Sequence, residues 1–283
     1  MPEKVNLNAY FERIGFAGSI APTVQTLELL HALHPAAIPF ENLSPLMGEQ
    51  VLLDQQSLER KMLGEKRRGG FCFEQNFLFM RMLADLDYEV RPLLARVIWT
   101  NPDAISAPPS HMALLVDIKG QNYLADVGFG GLTLTTPLRL RADTEQSSPH
   151  ETFRLTGGAP EWTLEVKIGD EWRGVYVFTT EKVDEVDLWD LNRDLSSNPS
   201  SPFTQELRVA LAPSGRRLKL HNERLTIQPS EGEAEKRALT TLAEIRAALA
   251  EDFGITVPES EKLDAKLLAF LPAEPAQTPE TEG

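Results

Sequence analysis

Apolar residues recur every three to four positions through most of residues 1–86, which is the spacing of amphipathic helices. Pro35 and Pro39 are expected to end the second of these helices and to impose extended backbone after it. The helix that follows Cys72 is apolar over most of its surface, so we expect it at the centre of the fold. The predicted helices are Asn8–Ile14, a helix capped by Thr23, a helix over 54–64 capped by Asp54 or Ser57, and the helix after Cys72.

After residue 86 the pattern changes to runs rich in Val, Ile, Leu and aromatic residues, which are typical of β-strands. The run KGQN (residues 119–122) is expected to form a hairpin turn. Later in the chain, Leu239–Phe253 has one apolar face and is followed by Gly254, which predicts a helix and its end. The predicted strands are Val90–Thr100, His111–Ile118, Tyr123–Val127, 152–156, 162–168, 172–179 and two or three within 206–229.

Two segments differ in composition from the rest of the chain. Residues 190–204 contain Asn-Pro and Ser-Ser-Pro sequences and are predicted to connect two parts of the protein. From Pro272 onward the chain is rich in Pro, Glu and Thr, which predicts a disordered tail over 272–283.

Composition and charge exclude several classes of protein. The net charge of −14 argues against a nucleic-acid or anionic-membrane partner, although a small phosphate-bearing ligand needs only a local basic pocket. No apolar run reaches the roughly 20 residues that span a bilayer, and the first residues do not resemble a secretory signal. Together with a single cysteine, which cannot form an internal disulfide, these features predict a cytoplasmic location. One Cys and five scattered His have no zinc-site spacing, so we expect no metal.

The single cysteine, Cys72, lies in the run RGGFCFE (residues 68–74), where two glycines lead into the apolar helix. Unpaired N–H groups and the partial positive charge of a helix start favour thiolate over thiol, and thiolate is the reactive form. A lone cysteine can also be a small buried apolar side chain, so the position alone leaves both interpretations open.

His111 and Asp126 complete a candidate set of catalytic residues. A thiolate nucleophile needs a nearby base, and the base needs an orienting acceptor. His111 opens one predicted strand, and Asp126 lies where the next strand runs into glycines. With a tight turn at Gly120-Gln121, Asp126 would lie opposite Leu115, about 13 Å from His111 at about 3.3 Å per residue. The spacing therefore permits a Cys-His-Asp triad but requires a register slip or bulge to build it.

The run GFGG (residues 128–131) follows the aspartate directly. Glycines at this point let a ligand approach the backbone and use its N–H groups, although a plain turn explains them equally well. Arg139 and Arg141 lie further along, where they can face a polyanionic ligand or simply solvent.

Five short motifs together resemble the arylamine N-acetyltransferase family, and the resemblance covers roughly residues 1–205. The order and spacing of the motifs match that family. The C-terminal third resembles it only in general plan. The motifs are IPFEN (38–42), RGGFCFE (68–74), HM (111–112), DVGFG (126–130) and PSSPF (199–203).

The resemblance implies an α+β fold with a cysteine-triad, transglutaminase-like core. It implies a helical bundle over 1–86, an antiparallel β-barrel over 87–190, a connector over 191–205 and an α/β lid over 206–271. The implied activity is ping-pong transfer of acetyl from acetyl-CoA, as co-substrate, to an aromatic amine or hydrazine. The implied roles are nucleophile for Cys72, base and acid for His111, orienting acid for Asp126, acceptor cleft for Phe40, Phe129 and Phe203, and pantetheine contact for Gly128 and Gly130.

Three alternatives stay open at this point. The first is an amide synthase of the same fold, which closes a macrolactam from a carrier-bound thioester, and the triad residues do not distinguish it. The second is a transglutaminase-like cysteine hydrolase, and the third is a non-catalytic ligand-binding protein. The sequence also allows a homodimer, and it suggests a structural ion pair between Glu41 and Arg68 beneath the site.

Overall fold

A computed structural model describes residues 4–272, so the predicted disordered tail falls outside the described residues except for Pro272. The first part of the chain is mostly helical, as predicted. Side chains of Asn6, Thr23 and Asp54 accept hydrogen bonds from backbone N–H groups and so cap the helices that follow them. The elements are α1 (Leu7–Ile14), α2 (Val24–Ala37), the two-residue strand β1 (Phe40–Glu41), α3 (Leu43–Leu46), α4 (Gln55–Met62) and α5 (Cys72–Asp85).

Pro35 does not end α2, and that prediction is wrong. The helix includes Pro35 in its last turn and continues to Ala37, with the Ile38 N–H bonded to the His34 carbonyl at 2.8 Å. Near a helix end, proline removes only one backbone hydrogen bond, so the last turn persists. Pro39 has the predicted effect, because the residue before a proline favours extended backbone, and Ile38 has φ −111° and ψ 108°.

An antiparallel sheet of eight strands forms the middle of the molecule. Its order is β5-β4-β3-β2-β9-β8-β7-β6, and a parallel bridge between Ala142 and Leu155 links the segment after β5 to β7, so the sheet is nearly closed like a barrel. The strands are β2 (Glu89–Val97), β3 (His111–Ile118), β4 (Gln121–Ala125), β5 (Leu138–Arg139), β6 (Gln146–Ser147), β7 (Thr152–Gly158), β8 (Glu161–Ile168) and β9 (Glu171–Thr179).

The hairpin between β3 and β4 corrects the predicted register. Ile118 pairs with Gln121, so the turn residues are Lys119 and Gly120, which adopt φ of 57° and 78°. Positive φ at both central residues gives the tight turn that suits the twist of a hairpin. Because the turn lies one residue earlier than predicted, the register shifts by two. Asp126 follows Ala125, the partner of Leu114, and therefore lies about two residues from His111 rather than four.

The C-terminal part is a second sheet with helices, and three strands lie within residues 206–229, as predicted, whereas other elements differ from the prediction. The segment predicted as a connector over 190–204 is largely helical, and the predicted helix over Leu239–Phe253 divides into an α-helix and a π-helical turn over Ala248–Asp252. The second sheet has the order β1-β10-β11-β12-β13. The elements are α6 (Glu185–Ser197), α7 (Pro202–Gln205), β10 (Arg208–Leu211), β11 (Arg216–His221), β12 (Arg224–Pro229), β13 (Glu235–Ala238), α8 (Leu242–Ala247) and α9 (Glu261–Ala269).

Helix α5 lies at the centre of the fold because most of its surface is apolar. Phe73, Phe79 and Leu83 are fully buried and share a core with Met112 and Leu114 of β3. Burial of each such side chain stabilises the fold by roughly 1.5–3 kcal/mol. The strand that opens with His111 is therefore packed directly against the helix that opens with Cys72.

Strand β1 and helix α3 belong by packing to the C-terminal sheet, although they lie early in the chain. Phe40 pairs with Ala210 of β10, and Leu43 and Leu46 share a core with Leu207. Among residues 4–272, no helix is both long enough and apolar enough to cross a membrane.

Candidate active site

Cys72 is the first residue of α5. The two glycines before it let the backbone pass close to neighbouring groups. A Cβ atom on Gly69 would lie 1.8 Å from the Pro39 carbonyl oxygen, and one on Gly70 would lie 2.9 Å from a carboxylate oxygen of Glu74. Any other residue type would displace the backbone at Gly69 and the Glu74 side chain at Gly70. The Gly-Gly sequence therefore sets how the strand-like segment enters the helix and where the sulfur lies.

Four charged side chains form a network on the other face of this helix start. We name it the ion cluster, and its members are Glu41, Lys61, Arg68 and Glu74. Glu41 accepts from Arg68 Nε at 2.8 Å and Glu74 accepts from Lys61 Nζ at 2.7 Å, which confirms the predicted Glu41–Arg68 pair. Glu74 also accepts from the Phe71 N–H at 3.0 Å, which satisfies one of the free donors at the helix start.

The two acids of the ion cluster respond differently to their surroundings. Burial would raise the pKa of Glu41, but the charges of Arg68 and Lys61 lower it to about 2. For Glu74, burial prevails over the attraction of Lys61, and its pKa lies above the usual value. Glu41 is therefore the fully charged partner that holds the two cations in place.

His111 and Asp126 form a buried pair that faces Cys72. Asp126 Oδ2 lies 2.7 Å from His111 Nε2, and the two side chains are 0% and 3% exposed. Because Nε2 is used by Asp126, the other ring nitrogen, Nδ1, is the one left to interact with the Cys72 thiol, and that interaction helps to raise the pKa of His111. The structure thus brings together three residues that lie far apart in the sequence.

The electrostatics of the pair favour an imidazolium beside a carboxylate. Burial alone would lower the pKa of His111, but the charge and hydrogen bond of Asp126 and the bond with Cys72 raise it to about 10. Burial would raise the pKa of Asp126, but His111 and the donors from Asn76 and Gly128 lower it. Each member therefore stabilises the charged form of the other.

Asn76 holds the Asp126 carboxylate from behind. Its amide donates to Asp126 Oδ1 at 3.0 Å and to the Met112 carbonyl at 2.7 Å, and its oxygen accepts from the Val127 N–H at 3.1 Å. The sequence analysis missed this residue. Its signal was its position four residues after Cys72, which places both on one helix face.

A buried histidine supports the aspartate through the backbone. His31 Nε2 accepts from the Asp126 N–H at 3.0 Å, so this nitrogen carries no proton. Burial is the main cause that lowers the pKa of His31 to about 4, and that of His34 to about 3. His34 bonds to Gln75 Oε1 at 2.7 Å, and Gln75 donates to the Gly70 carbonyl at 3.2 Å, just before the helix start.

A cleft of about 380 Å³ opens above this pair. Cys72 and His111 line it, whereas Asp126 lies behind His111 and is fully buried. The remaining residues predicted for the site, which are three aromatic residues and two glycines, also line the cleft. They are Phe40, Phe129, Phe203, Gly128 and Gly130.

The aromatic residues make much of the cleft wall apolar. Phe129 lies edge-on to His111 with ring centres 5.1 Å apart, and Phe40 and Phe203 lie 6.3 Å apart. Tyr176, which the sequence analysis also missed, lies 5.2 Å from the His111 ring. Burial and the Asp126 carboxylate raise the pKa of Tyr176 far above its usual value, so this hydroxyl stays protonated.

The glycines bring backbone close to the site. A Cβ on Gly128 would lie 2.9 Å from the Cys72 carbonyl oxygen and 2.7 Å from Asn76 Nδ2. Gly130 has φ of 81°, a conformation that favours glycine, and lies against the Phe40 ring. Within residues 4–272, no group of three or more His, Cys, Asp or Glu side chains is arranged to hold a metal ion.

Comparison with known proteins assigns a family. A sequence model of the family described as N-acetyltransferase matches residues 23–262. The chain is 38% identical over 256 residues to the arylamine N-acetyltransferase of Escherichia coli, which covers 90% of both chains. It is 39% identical over 259 residues to the arylamine N-acetyltransferase of Mycobacterium tuberculosis, which covers 90% of this chain and 91% of that protein.

Solved structures agree with these sequence matches. The fold is similar to that of Mycobacterium marinum arylamine N-acetyltransferase, with a TM-score of 0.88 and 37% identity over 94% of this chain and 99% of that one. The structure of the same Mycobacterium marinum protein in complex with CoA gives a TM-score of 0.88 and 37% identity over 94% of this chain and all of that one.

Proposed function

This chain belongs to the arylamine N-acetyltransferase family, and from that premise we propose that it transfers acetyl from acetyl-CoA to aromatic amines through an acetyl-cysteine. The observation that carries the proposal is that Cys72 and His111 line a cleft with aromatic walls, while Asp126 bonds to His111 from behind. A sulfur, an imidazole and a carboxylate in this arrangement are the parts of nucleophilic catalysis by cysteine.

In the proposed first half-reaction, Cys72 attacks the thioester carbonyl of acetyl-CoA. His111 holds the proton that the thiol has given up, and Asp126 stabilises the resulting imidazolium. Collapse of the tetrahedral intermediate breaks the bond between the acetyl carbon and the sulfur of CoA. His111 then returns the proton to that leaving sulfur, so acetyl-Cys72 and free CoA remain. The Phe73 N–H at the helix start is a proposed donor to the oxyanion.

In the proposed second half-reaction, the amine nitrogen attacks the acetyl carbon on Cys72. The neutral His111 accepts a proton from the nitrogen, the bond to the Cys72 sulfur breaks, and the amide leaves. Aromatic amines are uncharged near neutral pH, so they arrive as ready nucleophiles. The aromatic walls of Phe40, Phe129 and Phe203 favour a flat ring and exclude water, which would otherwise hydrolyse the intermediate.

Gly128 and Gly130 are proposed to accept the pantetheine arm of the co-substrate. Both line the cleft within a short loop, and the absence of side chains there leaves backbone groups accessible. A related protein, that of Mycobacterium marinum, has been solved in complex with CoA, which supports the choice of co-substrate.

We further propose the domain division 1–86, 87–190 and 206–271, with a connector over 191–205 and the last domain acting as a lid. Apolar cores in the barrel and in the C-terminal part support it, whereas the core of the helical part also includes residues of β3 and β4. Residues 40–46 are an exception within the first domain, because they pack with the C-terminal core. Hydrazine acceptors, a homodimer and a cytoplasmic location stay predictions from the sequence.

The proposal is tested by intact-mass spectrometry after the protein is mixed with acetyl-CoA and no acceptor. We expect one acetyl group, mapped by peptide analysis to Cys72, and its loss when an aniline or 4-aminobenzoate is added. Cys72→Ser, which changes little in size, should remain folded and form no adduct within the time that labels the wild type. A folded wild-type protein that takes up no acetyl group, or a Cys72→Ser variant with full turnover, would contradict the proposal.

A further inference from the structure

The charged side chains that line the cleft have the opposite sign from the net charge of the chain. The protein has a net charge of −14, from 42 acidic and 28 basic residues. Among the described residues, no Asp or Glu side chain lines the cleft, whereas Arg208 and Lys219 do, together with His111 and His221. A cation in such a lining that is not neutralised by an acid attracts negatively charged ligands to the cleft.

Most of these basic groups already have an acidic partner. Arg208 lies 2.6 Å from Glu206, and His221 lies 3.1 Å from the same carboxylate. His111 is paired with Asp126. Lys219 differs, because its ammonium makes no ion pair or hydrogen bond with any side chain or backbone group between residues 4 and 272. It is therefore the cleft cation with unused bonding capacity.

The surroundings of the Lys219 ammonium favour the binding of an anion. Its side chain packs on the glycine loop, with Cδ and Cε 3.2 Å from the position of a Cβ on Gly131. Burial and the neighbouring Arg217 lower the pKa of Lys219, and Glu151, which is itself held by Arg217 Nε at 2.6 Å, opposes them only in part. An arriving anionic oxygen would gain a charge-assisted hydrogen bond and restore the balance of charge.

We propose that Lys219 is an anion-binding residue of this cleft and takes a carboxylate or phosphate oxygen of a substrate bound beside Cys72. The inference rests on the proposed acetyl transfer and adds a substrate class to it. The anionic oxygen has two sources, which are the ring carboxylate of an acidic aromatic amine and the phosphates of CoA. Arg139 and Arg141, the cations considered from the sequence, do not line the cleft.

The test compares matched pairs of substrates in wild type, Lys219→Met and Lys219→Arg. The acceptors are 4-aminobenzoate and the neutral 4-aminobenzamide, and the donors are acetyl-CoA and acetyl-pantetheine, which has no phosphates. Lys182→Met is the control, because it removes the same charge from an exposed loop residue. KM and kcat/KM are measured for each combination, and thermal unfolding checks that each variant is folded.

We expect Lys219→Met to raise KM about 10- to 100-fold for one charged substrate and to leave its neutral counterpart within about twofold. A selective effect on 4-aminobenzoate identifies the carboxylate as the ligand, and a selective effect on acetyl-CoA identifies the phosphates. Lys219→Arg should retain most of the selectivity, and Lys182→Met should retain all of it. Unchanged constants in Lys219→Met, or equal losses for charged and neutral substrates, overturn the inference.

A separate measurement distinguishes this inference from the proposed function. Calorimetric titration with 4-aminobenzoate and with CoA reports anion binding without turnover. If the wild type transfers no acetyl group, the proposed function fails, while weaker binding of either anion to Lys219→Met still supports the anion site. If Lys219→Met does not fold, Lys219→Gln takes its place in both measurements. Equal binding of both anions to wild type and to the folded variant contradicts the site.

Discussion

Two buried polar clusters lie on either side of the start of α5, and only one of them opens onto the cleft. The catalytic cluster, so named for its proposed role, comprises Cys72, His111 and Asp126, and the ion cluster lies on the opposite face. Burial does not distinguish them, because Glu41 and Asp126 are both 0% exposed. What distinguishes them is access, since none of the ion cluster lines the cleft. Buried charge alone therefore does not identify a reactive site.

The clusters also differ in how completely their bonds are used. In the ion cluster each acid faces a cation, and Glu41 accepts in addition from the Leu43 N–H at 2.7 Å. In the catalytic cluster, one end of the arrangement is a thiol that faces the cleft. These contacts suit the first cluster to holding the backbone in place, and the accessible thiol suits the second cluster to the proposed exchange of a proton with a ligand.

The largest expected effect separates the two clusters by activity. Asp126→Asn should lower kcat by about 10³- to 10⁴-fold, because His111 loses the charge that stabilises its imidazolium and fixes its tautomer. Acetylation of Cys72 is followed by stopped flow, and unfolding in urea is followed by circular dichroism. A variant that loses activity only in proportion to lost folded protein would place Asp126 with the ion cluster instead.

The next effect separates them by stability. Arg68→Met leaves the buried Glu41 carboxylate without its closest partner and should lower the free energy of unfolding by about 3–5 kcal/mol. We expect kcat per folded molecule to fall by less than about tenfold. Arg193→Met is the matched control, because the Arg193–Asp190 pair is 72% and 58% exposed and should contribute at most about 1 kcal/mol. Equal losses in the two variants would contradict this account.

A smaller effect concerns the support of the catalytic pair. Asn76→Ala should lower kcat by about 10- to 100-fold, as expected for a residue that orients a catalytic group from behind. The control is Asn192→Ala, since Asn192 is also buried but donates to the Val51 carbonyl away from the cleft. Both variants should lose stability, and only Asn76→Ala should lose turnover per folded molecule. A similar kcat in both would remove Asn76 from the catalytic arrangement.

The smallest effect is a difference in how stability depends on pH. The pKa of His111 is raised in the folded protein. Its contribution to the free energy of unfolding is therefore complete below about pH 6.5 and is lost as pH rises toward about 10. The pKa of Glu41 is lowered in the folded protein. Its contribution to the free energy of unfolding is therefore complete above about pH 4.5 and is lost as pH falls toward about 2. The raised pKa of Glu74 opposes that acid loss in part.

Urea unfolding across this pH range compares wild type with Asp126→Asn and Glu41→Gln. Between pH 6.5 and 10, wild type should lose more stability than Asp126→Asn, because the variant lacks the carboxylate that holds the His111 proton. Below pH 4.5, wild type should lose more than Glu41→Gln. Parallel curves on the alkaline side would show that the His111–Asp126 pair contributes no charge-dependent stability.

The sequence predicted the helices and strands that carry the site, because their patterns are local. It did not predict the contact of His111 and Asp126, because the register depends on whether the turn uses Lys119-Gly120 or Gly120-Gln121. One residue of difference in the turn moves the pairing by two residues, and the pattern of side chains on the two faces is the same in both cases. Only the folded hairpin decides between them.

Local sequence patterns could not predict the site residues that come from elements distant in the sequence. Lys219 reaches the cleft because β11 pairs beside β10, which pairs with β1, and no spacing in the sequence records that order. His31 reaches Asp126 across 95 positions of the chain. In contrast, Asn76 was within reach of a helical-face argument from Cys72. What the sequence could not supply is the long-range packing that gives a buried polar residue its partner.

Strand β1 has a mechanical consequence for the site. Phe40 pairs with Ala210 on one side and bridges to Gly70 on the other, and its ring forms part of the cleft wall. This two-residue strand therefore connects the segment that leads to Cys72 with the C-terminal sheet. A bulky acceptor that displaces the Phe40 ring would also disturb the pairing of β1 with β10. Substitutions that change the packing of the C-terminal sheet are therefore expected to change how the acceptor fits the cleft, without contacting a reacting atom.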